Sequence, residues 1–436
     1  MASDLILSNI WLLFFVAVWL ITVILYQIKR RYFDAGSILL LSYFFYSIIS
    51  FVLFNSDFYK FNDIRLFPFI YLYLMLMLAF WPVLKYDVQK IHEIQKPPNL
   101  YLNILIITFI LSSTIQLPEI ILEFSSSIFQ LLLVSTGGQD LYNDAMADSY
   151  SLGDGAIANL PSIISNAYGN FGILLFFYYL TLPKRNKIIV VGLFLSCLIS
   201  ILNNISLGQR GPIAEILLSI IITYFALRKF LQPSVNRIIK ILGIILLVAA
   251  TIPIIALTNS RFGESLGGSN SSVYFYLGQE NLFFNNYGLD NGGIRYGDRT
   301  IPLFKRILGF ENVPKNFWER REKYPYLYIN DEVFIGFVGD FTLDYGPFIA
   351  AFLFIIFSIF VTKSTKIRNG KILFHQLILL HFVISVCMLG GMKLYPFSDV
   401  GGNLQLVVYF LLYIFFRLDY EFRTKRTLEI TQSTNQ

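Results

Sequence analysis

Only 14% of the 436 residues are charged, and the chain has two cysteines, three histidines and four tryptophans. Soluble domains carry about 25% charged residues, so a chain of two or three soluble domains is excluded. Cys197 and Cys387 both lie inside apolar runs and read as packed thiols, leaving the redox compartment open. His375 and His381 share one apolar run but, six residues apart, face different sides of a helix; interhelical hydrogen bonding suits them better than metal. No stretch reads G-x-x-x-x-G-K-[ST], which excludes a P-loop. No two aspartates stand as D-x-D, the spacing that holds a divalent metal on a nucleotide-sugar diphosphate, and no cluster of histidines and cysteines hints at another metal. No metal or cofactor is therefore expected.

Apolar residues dominate what is there. Hydrophobic side chains make up 56% of the chain and aromatics 17%, and mean hydropathy is +0.61. Runs of about 20 apolar residues recur along the whole length, each long enough to cross a hydrocarbon core. An all-α polytopic membrane protein is expected, with about eleven spans near 6–28, 35–54, 66–84, 100–117, 160–182, 188–206, 212–227, 239–258, 346–362, 372–390 and 403–416. A β-barrel would show alternating ten-residue segments instead. The first run is long enough to span and is followed by "IKRR", so it reads as a membrane helix rather than a cleavable signal.

Lysine and arginine concentrate in the connections at 29–31, 85–96, 184–187, 228–240 and 363–371 and in the tail from Arg417. By the positive-inside rule those face the cytoplasm, placing the N-terminus outside and the C-terminus inside. Two outer segments are too long to be turns. Residues 118–159 read as an interfacial helix followed by an acidic loop with Asp140, Asp144, Asp148 and Asp154. Residues 259–345 read as a loop subdomain, dividing the chain into 1–258 (eight spans), 259–345, and 346–436 (three spans and a tail).

Charges at the outer ends are the candidate chemistry. In "NNISLGQRGPIAEILLS", Arg210 precedes Pro212, which suits the first turn of a helix. A helix N-terminus with an arginine is matched to phosphate oxygens, although a long basic side chain also snorkels to lipid headgroups. Glu215, inside the same span, is costly unless paired or functional; Arg210 or Lys393 would neutralise it. "ALTNSRFGES" puts Arg261 at the matching depth one span later. The long segment adds Arg295 and Arg299 in "GGIRYGDRTIPLFKR", and interleaves basic residues with aromatics, among them Trp318 and Tyr324. Facing away from the cytoplasm, that mixture fits phosphate with sugar rather than nucleic acid. Asp331, Glu332, Asp340 and Asp344 approach the ninth span. Asp340, after glycine and the apolar "FIGFV", is the first candidate for a general base, with Glu332 second and Glu215 third; helix capping or pairing with the basic loop is the plainer role.

The many spans, "LGQRGP" opening one of them, "NSRFGE" later, the long outer loop and "GDFTLDYGPFIAAFLFIIFSIF" together resemble the Wzy family, the O-antigen or oligosaccharide repeat-unit polymerases of bacterial inner membranes. The resemblance implies a GT-C-like fold and a metal-independent glycosyltransferase. Its donor and acceptor would be undecaprenyl-pyrophosphate-linked oligosaccharides, the growing chain passing from its pyrophosphate to a sugar hydroxyl. It further implies that Arg210 and Arg261 hold the pyrophosphate, with Arg295 and Arg299 added from the loop, that Trp318 and Tyr324 stack on sugars, and that a chain-length regulator protein is a partner. The rivals are a flippase for the same lipid-linked sugars and an O-antigen ligase, against which the lack of an outer histidine counts.

Overall fold

In a computed structural model the structure describes residues 2–134, 136–151, 160–262 and 268–434. It is helical almost throughout. The helices are α1 (Ala2–Arg30), α2 (Ala35–Phe54), α3 (Leu66–Lys85), α4 (Asn99–Ile115), α5 (Leu117–Leu133), α6 (Gly137–Ser151), α7 (Leu160–Thr181), α8 (Lys187–Ser206), α9 (Arg210–Leu227), α10 (Pro233–Phe262), α11 (Gly268–Tyr287), α12 (Pro302–Ile307), α13 (Phe317–Lys323), α14 (Gly336–Tyr345), α15 (Pro347–Ser364), α16 (Phe374–Leu389) and α17 (Asp399–Thr434). Two three-residue strands, β1 (Glu93–Gln95) and β2 (Lys371–Leu373), pair in parallel.

Local chemistry sets several boundaries. Asp34 caps α2 through a reciprocal pair of bonds with Ser37, satisfying N–H groups that a helix start leaves open. Gly346, at φ +78°, ends α14 and lets Pro347 begin α15. Gly169, at φ +40°, breaks α7 near its middle; a Cβ there would come within 2.7 Å of the Gln405 side chain.

Eight helices among the described residues are long and apolar enough to cross a membrane: α1, α2, α3, α7, α8, α10, α15 and α17. The α4–α5 pair, bent by 46°, makes a ninth if it counts as one span. This is an all-α polytopic membrane protein. Of the other two expected spans, α9 has 18 residues with Arg210 and Glu215 in its first two turns. The 16-residue α16 is buried at every position, so it meets neighbouring helices rather than lipid. It packs on α3, α7, α9 and α17 at the centre of the molecule. Its His381 bridges two of them, Nε2 lying 2.8 Å from the Thr223 hydroxyl and Nδ1 2.9 Å from that of Tyr409. At the periphery, α10 turns Ile241, Ile244, Ile245, Val248 and Ile252 outward, as a helix facing hydrocarbon does.

The two long segments differ from expectation. Residues 118–133 do form a helix, α5, which packs on α8 as a bent continuation of α4. The acidic stretch is also helical as far as Ser151: Thr136 accepts the backbone N–H of Asp140 and its hydroxyl bonds that carboxylate at 2.8 Å, starting α6 without any apolar periodicity. The Asp148 side chain and all of Asp154 lie outside the described residues. The second segment is knitted into the bundle instead of standing apart. Polar α11 lies against α2, where the Ser50 hydroxyl donates to the Gly278 carbonyl at 2.8 Å and receives the Asn281 amide at 2.9 Å. Hydropathy missed α11 because its buried face is amide-rich.

Candidate functional site

Arg295, Arg299 and Arg320 converge with Asp331, Asp340, Asp344 and Asp399 at the end of the bundle where α14 joins α15. Arg295 reaches Asp340 at 3.0 Å and Asp344 at 2.7 Å, and also pairs with Asp331. Arg299 lies 3.0 Å from Asp340, 3.3 Å from Asp399 and 3.5 Å from Asp331. Arg320 joins Asp331 to Asp399. Burial alone would raise the Asp331 carboxyl, but the three guanidiniums override it and hold that group well below the usual carboxylate range. Asp344 goes the other way: burial and its neighbour Asp340 raise it despite Arg295 and bonds from Thr300. A satellite forms beside the cluster, where Asp298 binds Lys305, Lys323 at 2.6 Å and the Tyr324 hydroxyl at 2.7 Å.

In this network several expected site residues have other partners. Arg295 and Arg299 are 2% and 7% exposed, and each faces three carboxylates that answer its charge in this structure. Asp340 is fully buried and accepts from both arginines and, at 2.7 Å, from the Tyr395 N–H. Tyr324 is 7% exposed with its hydroxyl spent on Asp298 and the Arg295 carbonyl, so its ring is no sugar platform. The arrangement is a clamp that fixes the 288–345 segment to the bundle. Glu332 and Trp318 stay at the surface: Arg321 lies over the Trp318 ring at 4.8 Å and pairs with Glu332. Glu332 therefore lacks the burial a base needs.

Arg210 begins α9 and reaches across to α10 and α11. Its guanidinium donates to the Thr258 hydroxyl at 2.8 Å and lies 5.3 Å from the centroid of Tyr276. Gln209 provides no side-chain cap for the first N–H groups of α9. Arg261 belongs to the last turn of α10, three residues beyond Thr258, so the two arginines share one end of adjoining helices; the Arg261 side chain lies outside the described residues.

Glu215 projects from a different face of α9 and pairs with Lys393, the second of the two partners expected for it. It lines a cavity of about 170 Å3 with Asn166, Asn170, Asn204, Ser165, Ser200 and Gln405, enclosed by Phe109, Ile173 and Pro396. Amides and hydroxyls gathered among apolar spans are costly without a polar occupant such as water or a hydroxylated ligand. The break at Gly169 admits Gln405 to this wall. A second, apolar groove of about 350 Å3 runs between α14, α15, α16 and α17, lined by Phe337, Phe341, Phe354, Phe357, Phe360, Phe382 and Phe410. Thr300 and Tyr395, both bonded to cluster aspartates, also line it, so its polar side adjoins the clamp. Among the described residues no group of three or more His, Cys, Asp or Glu is arranged to hold a metal ion.

Compared with protein family models, with characterised proteins and with solved structures, the chain matches none.

Asp399, in the charge cluster, and Glu280 both escaped the sequence reading. Glu280, on α11, is 2% exposed and neither carboxylate oxygen has a hydrogen-bond partner among the described residues. Gly336, at φ +75°, lies against it, and a Cβ there would come within 2.3 Å of Oε1. Burial raises this carboxyl well above its usual range. Since the folded state then binds the proton more tightly than the unfolded one, folding loses stability as pH rises through the ordinary glutamate range toward the folded pKa. Glu280→Gln should therefore melt at a higher temperature than wild type in detergent, with a gap that widens between about pH 5 and pH 8. A gap constant with pH would mean that Glu280 does not titrate with folding.

Proposed function

We propose that the protein polymerises lipid-linked oligosaccharide repeat units, transferring a growing glycan from the pyrophosphate of one undecaprenyl-type carrier to a sugar hydroxyl on another. The polar cavity at Glu215 carries this reading, because its amides and hydroxyls suit a polyhydroxylated ligand held within a membrane bundle. The phenylalanine groove supports a lipid-linked substrate, offering an apolar path that ends beside polar side chains.

The attacking hydroxyl oxygen forms a bond to the anomeric carbon as the bond from that carbon to the pyrophosphate oxygen breaks. Charge develops on the departing lipid pyrophosphate, and Arg210 with the uncapped N–H groups of α9 would stabilise it. Arg261 is the second pyrophosphate ligand in this reading. Glu215 takes the proton of the acceptor hydroxyl, replacing Asp340 in that role, and Trp318 is the exposed aromatic left for a sugar face. The reading includes eleven spans in a bacterial inner membrane, counting α9 and α16, a GT-C-like glycosyltransferase architecture, an outer N-terminus, a cytoplasmic C-terminus and a chain-length regulator as partner.

Deleting the gene in its native host and resolving the surface polysaccharide on a gel separates this reading from its rivals. Loss of a polymerase leaves single repeats on the anchor. Loss of a ligase or flippase leaves none, and that pattern would overturn the proposal.

A further inference from the structure

At the opposite end of the bundle from the charge cluster, the end of α15, the middle of α17, the 365–373 connection and Gln95 enclose a cavity of about 630 Å3. Its lining includes Lys363, Lys366, Arg368, Lys371 and Arg417, against the carboxylate of Glu421 alone. Arg417 pairs with Glu421 at 3.0 Å, and Lys371 turns to Glu93 at 2.7 Å. Lys363, Lys366 and Arg368 have no carboxylate partner among the described residues. Three unanswered cations around one concavity repel one another, and an anion seated there would relieve them.

The cavity wall is held in shape by the chain around it. β2 pairs in parallel with β1, Ile372 opposite Ile94, and the His92 N–H donates to the Gly370 carbonyl at 2.7 Å. Asn369 and Gly370 turn the chain tightly at φ +50° and +68°, and a Cβ on Gly370 would strike the His92 ring at 2.5 Å. Arg368 and Lys371 are thus carried on a braced turn rather than a loose tail. The cavity also sits where α15 and α17 leave their apolar lengths, the depth at which lipid headgroups lie.

We propose that this cavity is an anion site that takes a phosphate ester, supplied by the headgroup of an anionic phospholipid or by a soluble phosphate compound. It is independent of the glycan reading, using none of the same residues. The full-length protein, purified in neutral detergent, would be probed in two arms: retention of phosphatidylglycerol by native mass spectrometry, and titration calorimetry with inorganic pyrophosphate. The triple variant K363A/K366A/R368A should weaken whichever probe binds by about tenfold or more, each cation near such a surface contributing comparably. A control variant, K184A/K187A/K240A, removes three cations that do not line the cavity and should bind as wild type does. Loss in the lipid arm alone names a headgroup as the source, and loss in the pyrophosphate arm names a soluble phosphate. If the triple variant binds both probes as wild type does, or if the control weakens binding equally, the attraction is diffuse and the site is overturned.

Discussion

Asp340→Ala should yield little folded protein. The substitution removes the carboxylate shared by Arg295 and Arg299 and strands the Tyr395 N–H, all of them buried. Breaking one partner of a buried ionic network costs about 3–5 kcal/mol, because the remaining charges are left uncompensated. Such a loss is a large part of the stability of a typical domain, about 5–15 kcal/mol. Detergent-solubilised Asp340→Ala should run as aggregate in gel filtration, and trypsin should cut at Arg295, Arg299 and Arg320, which are buried in wild type. Asp340→Asn, which keeps the shape but not the charge, should fall between the two. The opposite result, a monodisperse and trypsin-resistant Asn variant that has lost all turnover, would return Asp340 to a chemical role.

Glu215→Gln should leave folding intact and stop elongation. General-base catalysis typically contributes 10²–10⁴-fold, so purified Glu215→Gln protein should extend lipid-linked repeats at least about 100-fold more slowly than wild type. Retention of a polar side chain of the same size keeps the cavity wall, and Lys393, about a quarter exposed, can turn to water. Arg210→Ala should lose long chains to a similar degree, while Arg210→Lys keeps the charge but not the bidentate fork and should retain part of the activity. Wild-type elongation by Glu215→Gln would remove the base, and by Arg210→Ala the phosphate grip.

The spans were legible because their causes are local. An apolar run bounded by Asp34 or by Lys187 reads the same in the sequence and in the helix, so the expected 35–54 and 188–206 coincide with α2 and α8 to within a residue. Arg210 was legible too, as a cation beside a proline that starts a helix. Pairings were not. Asp340 and Arg295 meet across 45 residues and Arg299 and Asp399 across 100, and residue types alone do not say whether a loop arginine waits for phosphate or is already neutralised. Hydropathy also passed over α11, whose Glu280 is buried by the helices around it rather than by any pattern of its own. The polar cavity was invisible for a related reason: its asparagines and serines are scattered singly through α7 and α8, and converge only when those helices pack.

Asp399 gives the charge cluster a place in time as well as in space. It stands at the start of α17, so α14, α15 and α16 separate it from the two arginines it holds, Arg299 and Arg320. A ribosome delivers the chain from its N-terminal end. The arginines therefore emerge and wait while three further helices are made, one of them the α16 that its central neighbours enclose. Until α17 is in place, that end of the bundle carries guanidiniums short of a carboxylate. Completion of that face is thus among the last events of biogenesis, and a chain released early has its spans before it has its lock.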